Sequence, residues 1–397
     1  MKRTRGGVMS VNMQPSPAGE HAQSQRVSWL ELFYDLVYVA TIIQLGDVLS
    51  HHVSWIGFFE FVALFLPVWW SWMGVTFYAN RFLRDDVRHR SLIFIQMFAV
   101  AALAINIPTA FAPGVSGFAL AYVGVRIVLV LLFLQVPTRA GHARSLARHY
   151  AIGFSLSAVI WLVAAFMPMP LRYGLWIVGM LVDFLVPLNP ATRRHVNRLP
   201  PSRHHMMERF ALFTMIVLGE SFVKVVGSLA GEPVAWSTLA FGALGLAIAG
   251  SLWWLYFDNI PAATIRAGRA FTWIYAHLPL VVGITAVAVA MNKVVLLDIN
   301  ASLAAPYRWL FCGAVALCLA AVALINAVTL HGDTPAQSNR LSRAQATAAA
   351  GVLLPALAGD RLPPLALVGL VAALCVTLVT LSWQQKQRLP ALPSLSS

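Results

Sequence analysis

Apolar residues fall in blocks along this chain, divided by short polar strips, and each block has about the 20 residues an α-helix needs to cross hydrocarbon. The block lengths predict twelve spans: 28–49, 54–78, 91–112, 117–136, 150–168, 171–188, 208–230, 236–258, 271–292, 306–330, 345–359 and 364–383. The fifth, sixth and eleventh have the least regular pattern. The sixth is short and runs into Pro187 and Pro190; the eleventh is Ala-rich with Pro355 inside it, so either is expected to tilt, break or re-enter.

Charge tests the count. With the amino terminus placed in the cytoplasm, the inner strips hold 22 of the 28 Lys and Arg residues, including Arg81, Arg84, Arg88 and Arg90 after the second span and Arg193, Arg194, Arg198, Arg203 and Arg209 after the sixth. Outer loops and helix ends keep Arg172, Lys293, Arg308 and Arg361. One missed span would invert every later strip, so the asymmetry predicts twelve crossings with both termini cytoplasmic. It also explains a net charge of +13 without nucleic acid as a partner.

Six spans per half return the chain to its starting side, which predicts two parallel six-helix repeats related by an axis along the membrane normal. Two sequence cues support duplication. Glu31-Leu-Phe33 heads the first span and Glu208-Arg-Phe210 the seventh, 177 residues later; Trp69-Trp70 and Trp253-Trp254 follow them, each pair placed near the inner end of its half's second helix. Tryptophans that anchor a helix at the interface would give the same pairs. The expected organisation is a disordered cytoplasmic tail (1–25), a first repeat (26–188), a basic cytoplasmic linker (189–207), a second repeat (208–383) and a cytoplasmic tail (384–397).

Composition fixes the class as all-α: 59% of residues are hydrophobic, 11% are charged, and mean hydropathy is +0.73, the profile of a polytopic helical membrane protein with the lipid bilayer as its main partner. Cys312, Cys318 and Cys375 all lie in apolar stretches without metal-ligand spacing and are expected as core residues. His51-His52 and His204-His205 are adjacent pairs outside the predicted core; neighbours on a helix diverge by about 100°, so neither makes a two-ligand metal face. Nucleotide-binding loops and the common hydrolase signatures are missing, so no cofactor is expected and the chain leans away from enzymes.

Candidate chemistry therefore lies in charges placed in hydrocarbon, each costing about 2.5–3.5 kcal/mol at a helix centre on insertion scales. Glu31, Asp35 and Tyr38 share one face of the first helix; Glu220 and Lys224 stand one turn apart in the seventh and can pair along it, a structural role open to both. Arg126 lies midway along the fourth, with Asp183 of the sixth as one possible partner. Within the spans, Glu31, Asp35, Asp47, Glu60, Asp183 and Glu220 outnumber Arg126 and Lys224, so pairing leaves a surplus of carboxylates that must protonate, bind a cation or stay wet. Asp47 and Glu60, near the outer end, are expected to stay wet. Glu220, Glu31, Asp35 and Asp183 are the candidate ion- or proton-binding residues. Acids at a helix start also complement its dipole, a structural role open to Glu31 and Asp35.

Val27-Ser-Trp-Leu-Glu31-Leu-Phe-Tyr-Asp35, the Trp69-Trp-Ser-Trp72 run with Asn80-Arg81 and Asp85-Asp86 in the cytoplasmic loop after it, and Glu208 through Gly219-Glu220-Ser221 together resemble the bacterial low temperature requirement protein A (LtrA) family. The resemblance implies a multi-pass protein of the bacterial inner membrane and assigns no residue a role. Tyr34 and Tyr38 stand where Phe is common in that family. A more distant likeness joins Phe33-Tyr-Asp35 to the Phe-Ser-Asp signature of a class of lysosomal and prokaryotic potassium channels; the second half reads Phe210-Ala-Leu212, without the acid. The expected activity is secondary transport coupled to protons or a cation, for a small solute or monovalent cation. A cation channel and a membrane-embedded enzyme or lipid-handling protein are the alternatives.

Overall fold

The computed structural model describes residues 27–82, 86–138, 140–229, 235–258, 264–295, 302–330, 335–358 and 361–387. The expected amino-terminal tail, Asp85 and the end of the carboxy-terminal tail lie outside them. Six helices make the first part of the chain: α1 (Trp29–His51), α2 (Trp55–Phe82), α3 (Val87–Asn106), α4 (Gly117–Leu134), α5 (His142–Phe166) and α6 (Leu171–Leu185). A nine-residue α7 (Pro190–Arg198) leads into α8 (Arg203–Leu229) and α9 (Trp236–Phe257). The remainder comprises β1 (Thr264–Ile265), α10 (Ala270–Val295), α11 (Ala305–Ala327), β2 (Thr329–Leu330), α12 (Pro335–Gly351), α13 (Leu353–Leu357) and α14 (Pro364–Gln387). The two short strands pair antiparallel, Thr264 opposite Leu330 and Ile265 opposite Thr329.

Among the described residues, eleven helices are long and apolar enough to cross a membrane. The protein is thus a polytopic helical membrane protein, and the departure from twelve falls on the expected eleventh span. There the chain forms α12 and α13, interrupted at Val352 after Gly351, with Pro355 inside the short second piece. Glycine and proline together are enough to break a helix there. The basic linker is partly helical: Asn189 caps α7, its side chain accepting from Ala191 N at 2.9 Å, and Pro190 fills the first helical position.

Local starts follow local sequence. Ser28 and Glu31 form a reciprocal capping box on α1, with Ser28 N donating to Glu31 Oε2 at 2.9 Å and Glu31 N to Ser28 Oγ at 3.3 Å. Asp86 caps α3 by accepting from His89 N at 2.8 Å. Asn80 and Arg81, expected in the cytoplasmic loop, belong instead to the last turn of α2, which runs four residues past the predicted end of its span.

Two helices form the centre. Every residue of α2 from Pro67 to Asn80 is buried, and so is every residue of α10 from Leu280 to Met291. A helix apolar and buried all round belongs inside a bundle. Trp69 and Trp70 are consequently core residues midway along α2, with Trp70 stacked on Tyr275 at 5.9 Å between centroids and an interplanar angle of 7°; Trp253 and Trp254 near the end of α9 are exposed. The pairs are not equivalent in position. Around the centre, side chains such as Phe98, Ile105, Ile152 and Val223 point outward, as a lipid-facing belt requires.

Helix neighbours recur in order. In the first part α1 packs on α2 and α3, α3 on α4, α4 on α5, and α2 on α4 and α6; in the second α8 packs on α9 and α10, α10 on α11, α11 on α12, and α9 on α11 and α14. The parts meet where α1 lies against α8 and α10, and α2 against α8 and α10.

Candidate functional site, a charged seam between α1 and α8

Glu31 and Asp35 are one turn apart on α1, and His205 and Arg209 are one turn apart on α8. All four turn inward and meet. Arg209 Nη1 lies 2.8 Å from Glu31 Oε1, Arg209 Nη2 donates to Asp35 Oδ1 at 2.6 Å, and His205 Nε2 lies 3.2 Å from Glu31 Oε1. The central helix supplies the rest: Trp72 Nε1 donates to Asp35 Oδ1 at 2.7 Å, and Thr76 Oγ1 accepts from Arg209 at 3.4 Å. Asn80 closes the lower end, donating to Ser202 O at 3.0 Å, accepting from Ser202 N at 2.9 Å, and meeting His205 Nδ1 at 3.2 Å. Asp35, His205 and Arg209 are all fully buried.

Buried charges are tolerated when paired and hydrogen-bonded, and here one guanidinium spans two carboxylates. Asp35 Oδ2 has no hydrogen-bond partner among the described residues. Above the cluster a polar thread continues: Tyr34 and Tyr38 share a hydrogen bond at 2.8 Å, and Tyr38 another with Ser71 at 2.8 Å. Phe213 stacks on Trp72 at 4.2 Å and meets the edge of Tyr38 at 6.3 Å, filling the space between α1, α2 and α8.

Toward the other end of the same helix pair, Lys224 Nζ donates to Asp47 Oδ1 at 2.7 Å. Lys224 thus reaches across to α1 for its direct partner rather than along α8 to Glu220. Partners on the two helices are 174 residues apart at Arg209–Asp35 and 177 at Lys224–Asp47, so α1 and α8 run side by side in the same direction. Glu220 pairs directly with no basic group among the described residues, Lys224 acting on it only across a longer distance. It is 8% exposed, its Oε2 has no hydrogen-bond partner among the described residues, and it opens on a lateral groove of about 650 Å³ bounded by Leu36, Ile43, Asp47, Gly219 and Lys224. Gly219 is exposed on that groove, with open space where a Cβ would stand.

The other expected residues fall elsewhere. Arg126 of α4 and Asp183 of α6 are fully buried and lie 3.1 Å apart; Tyr122 donates to Asp183 Oδ2 at 2.7 Å and also accepts from Arg126. Phe154 presents its ring to the guanidinium at 5.1 Å. This clamp lies within the first six helices and makes no hydrogen bond or ion pair to Glu31, Asp35, His205 or Arg209 among the described residues. Asp47 and Glu60 keep partial solvent exposure, Glu60 beside His52 Nδ1 at 3.2 Å. Arg81 donates from Nε to Leu199 O at 3.3 Å, and Glu208 is half-buried with Oε2 lacking a hydrogen-bond partner among the described residues.

Arg209 and His205 are the residues that sequence reasoning misplaced, one as part of a cytoplasmic strip and the other as outside the core. A signal was present. Both helices carry their charged pair at a four-residue spacing, and the two pairs stand at the same offset near the heads of α1 and α8. With Arg209 included, Asp183, Asp47, Glu31 and Asp35 all acquire Lys or Arg partners among the described residues, which leaves Glu220 and the partly exposed Glu60.

Fold and site together define a multi-pass helical membrane protein whose two helical groups are tied by buried ion pairs along parallel helices. Residues 26–382 match the model of the family described as Bacterial low temperature requirement A protein (LtrA), and the chain belongs to that family. It is also 30% identical over 324 residues to an uncharacterized protein of Rhizobium meliloti (strain 1021), the match covering 76% of each chain.

Proposed function

We propose that this protein is a secondary transporter of the bacterial inner membrane, moving a small solute or monovalent cation in a proton- or cation-coupled cycle with Glu220 as the coupling carboxylate. The observation that carries the reading is the buried Glu220 beside a groove, with its nearest lysine already engaged by Asp47. A carboxylate in hydrocarbon without a basic partner is stabilised by taking up a proton or cation, and releasing it restores the cost of burial. That alternation is what coupling requires. The recurrent helix neighbours and the parallel α1–α8 pair support two parallel six-helix repeats, and the Lys/Arg asymmetry supports cytoplasmic termini.

In this reading Glu31 and Asp35 act through Arg209 and His205 as a latch between the groups, and Asp183 with Arg126 braces the first one. A cation channel along Glu31 and Asp35 is disfavoured because Arg209 occupies the space between them. Proton and cation flux into liposomes containing the purified protein tests the proposal. Wild type should give saturable flux, and Glu220→Gln should reduce it at least tenfold while leaving the fold intact. No protein-dependent flux under any imposed gradient, or full flux in Glu220→Gln, would refute it.

A further inference from the structure

At the end of the bundle where α2 finishes and α8 begins, a cavity of about 390 Å³ lies between α2, α5, α7, α8 and the β1–α10 connection. Four arginines line it from four separate segments: Arg81 of α2, Arg193 of α7, Arg203 of α8 and Arg266 just after β1. None of its lining residues is acidic, and none of these arginines has a carboxylate within ion-pair distance among the described residues.

Positive-inside bias alone would scatter arginines over a surface. Here they converge, and several are fixed. Arg81 is anchored through Leu199 O, Arg193 rests over the Phe271 ring at 5.8 Å, and Arg266 donates from Nη2 to Asn339 Oδ1 at 2.9 Å while its backbone N donates to Val328 O at 2.9 Å. Arg266 Nε is buried and has no hydrogen-bond partner among the described residues. Guanidinium groups stay protonated, so a cluster without carboxylates is held together against its own repulsion unless an anion enters. The remaining wall is largely apolar, with the rings of Phe77, Tyr150, Phe271 and Trp273 set among aliphatic and proline residues.

We propose that this cavity is a binding site for a phosphate-bearing anion, with the arginine forks holding the phosphate oxygens and the apolar wall facing the group attached to it. Arginine matches phosphate through paired donors, the volume is that of a small-ligand pocket, and basic cavities between helices at this membrane face suit anionic headgroups. The phosphate comes either from a lipid headgroup or from a soluble ion. The site touches the seam through α2, since Arg81 follows Asn80, which bonds Ser202 and His205.

Two arms separate the sources. Equilibrium dialysis of the purified full chain with labelled inorganic phosphate, against chloride at matched ionic strength, tests the soluble ion. Native mass spectrometry of protein released from phosphatidylglycerol or phosphatidylcholine nanodiscs tests the lipid. The variants are the double substitution Arg193→Gln with Arg203→Gln, at exposed side chains expected to leave folding unchanged, and Arg266→Lys, which keeps the charge but removes the fork. Saturable phosphate binding, or selective retention of phosphatidylglycerol, weakened at least tenfold in the double variant and measurably in Arg266→Lys, supports the site and identifies its source. Should the double variant fail to fold, Arg266→Lys decides alone. Binding in neither arm, or binding equal to wild type in the folded variants, overturns the proposal.

Discussion

Replacing Arg209 by Gln removes the guanidinium that Glu31 and Asp35 share. The two carboxylates, one turn apart on α1, then retain His205, the Ser28 cap and Trp72 as partners. Removing one member of a buried, hydrogen-bonded ion pair costs about 3–5 kcal/mol, because the remaining charge loses its partner without regaining water. Both Arg209 contacts are short, at 2.8 and 2.6 Å, and Asp35 is fully buried, which places the expected loss in the upper part of that range. For a chain of this size at roughly 1–2 °C per kcal/mol, the melting temperature should fall by about 4–10 °C. Tryptophan-fluorescence melting in detergent reads it directly. Adding Asp35→Asn to Arg209→Gln removes the stranded charge, so the double variant should recover part of the loss and show a coupling of at least about 1 kcal/mol in a double-mutant cycle. A melting temperature unchanged within 1 °C in Arg209→Gln, or a cycle whose effects simply add, would refute the argument that this seam is an energetically linked network.

Trp72→Phe keeps an aromatic ring near Phe213 but deletes the Nε1 donor to Asp35, and should cost about 1.5–3 kcal/mol by chemical unfolding, the worth of a hydrogen bond to a charged group. Two glycines give opposite expectations. A Cβ at Gly283 would lie 2.6 Å from Cys318 Sγ and 3.1 Å from Ala314 O, so Gly283→Ala should destabilise the α10–α11 contact by about 1–3 kcal/mol; Gly219→Ala, in open space within α8, should stabilise by up to about 1 kcal/mol in the same unfolding measurement.

Much of the architecture was legible from the chain. Block length and the Lys/Arg strips located the spans because each depends only on local hydropathy and on which side of the membrane a loop faces. Ser28 and Glu31 fix the start of α1 through a capping box, a contact within three residues. The interruption at Val352 was foreshadowed by Pro355 but not its position, because Gly351 ends α12 before that proline is reached.

What the sequence determined was the inventory: a helical membrane protein with more acids than bases in its spans. Tertiary packing decided the assignments. Lys224 stands one turn from Glu220, yet packing α8 along α1 brings Asp47 within 2.7 Å of its amine. Arg209 reads as one of a cytoplasmic strip until the same packing folds it between Glu31 and Asp35. The physical reason is that helical periodicity fixes which residues share a face, whereas charge pairing depends on which face of which other helix arrives opposite. For Glu31 and Asp35 the partners on that other helix stand 174 residues later, and for Glu220 the decisive fact is that its neighbouring lysine is drawn into a bond with Asp47.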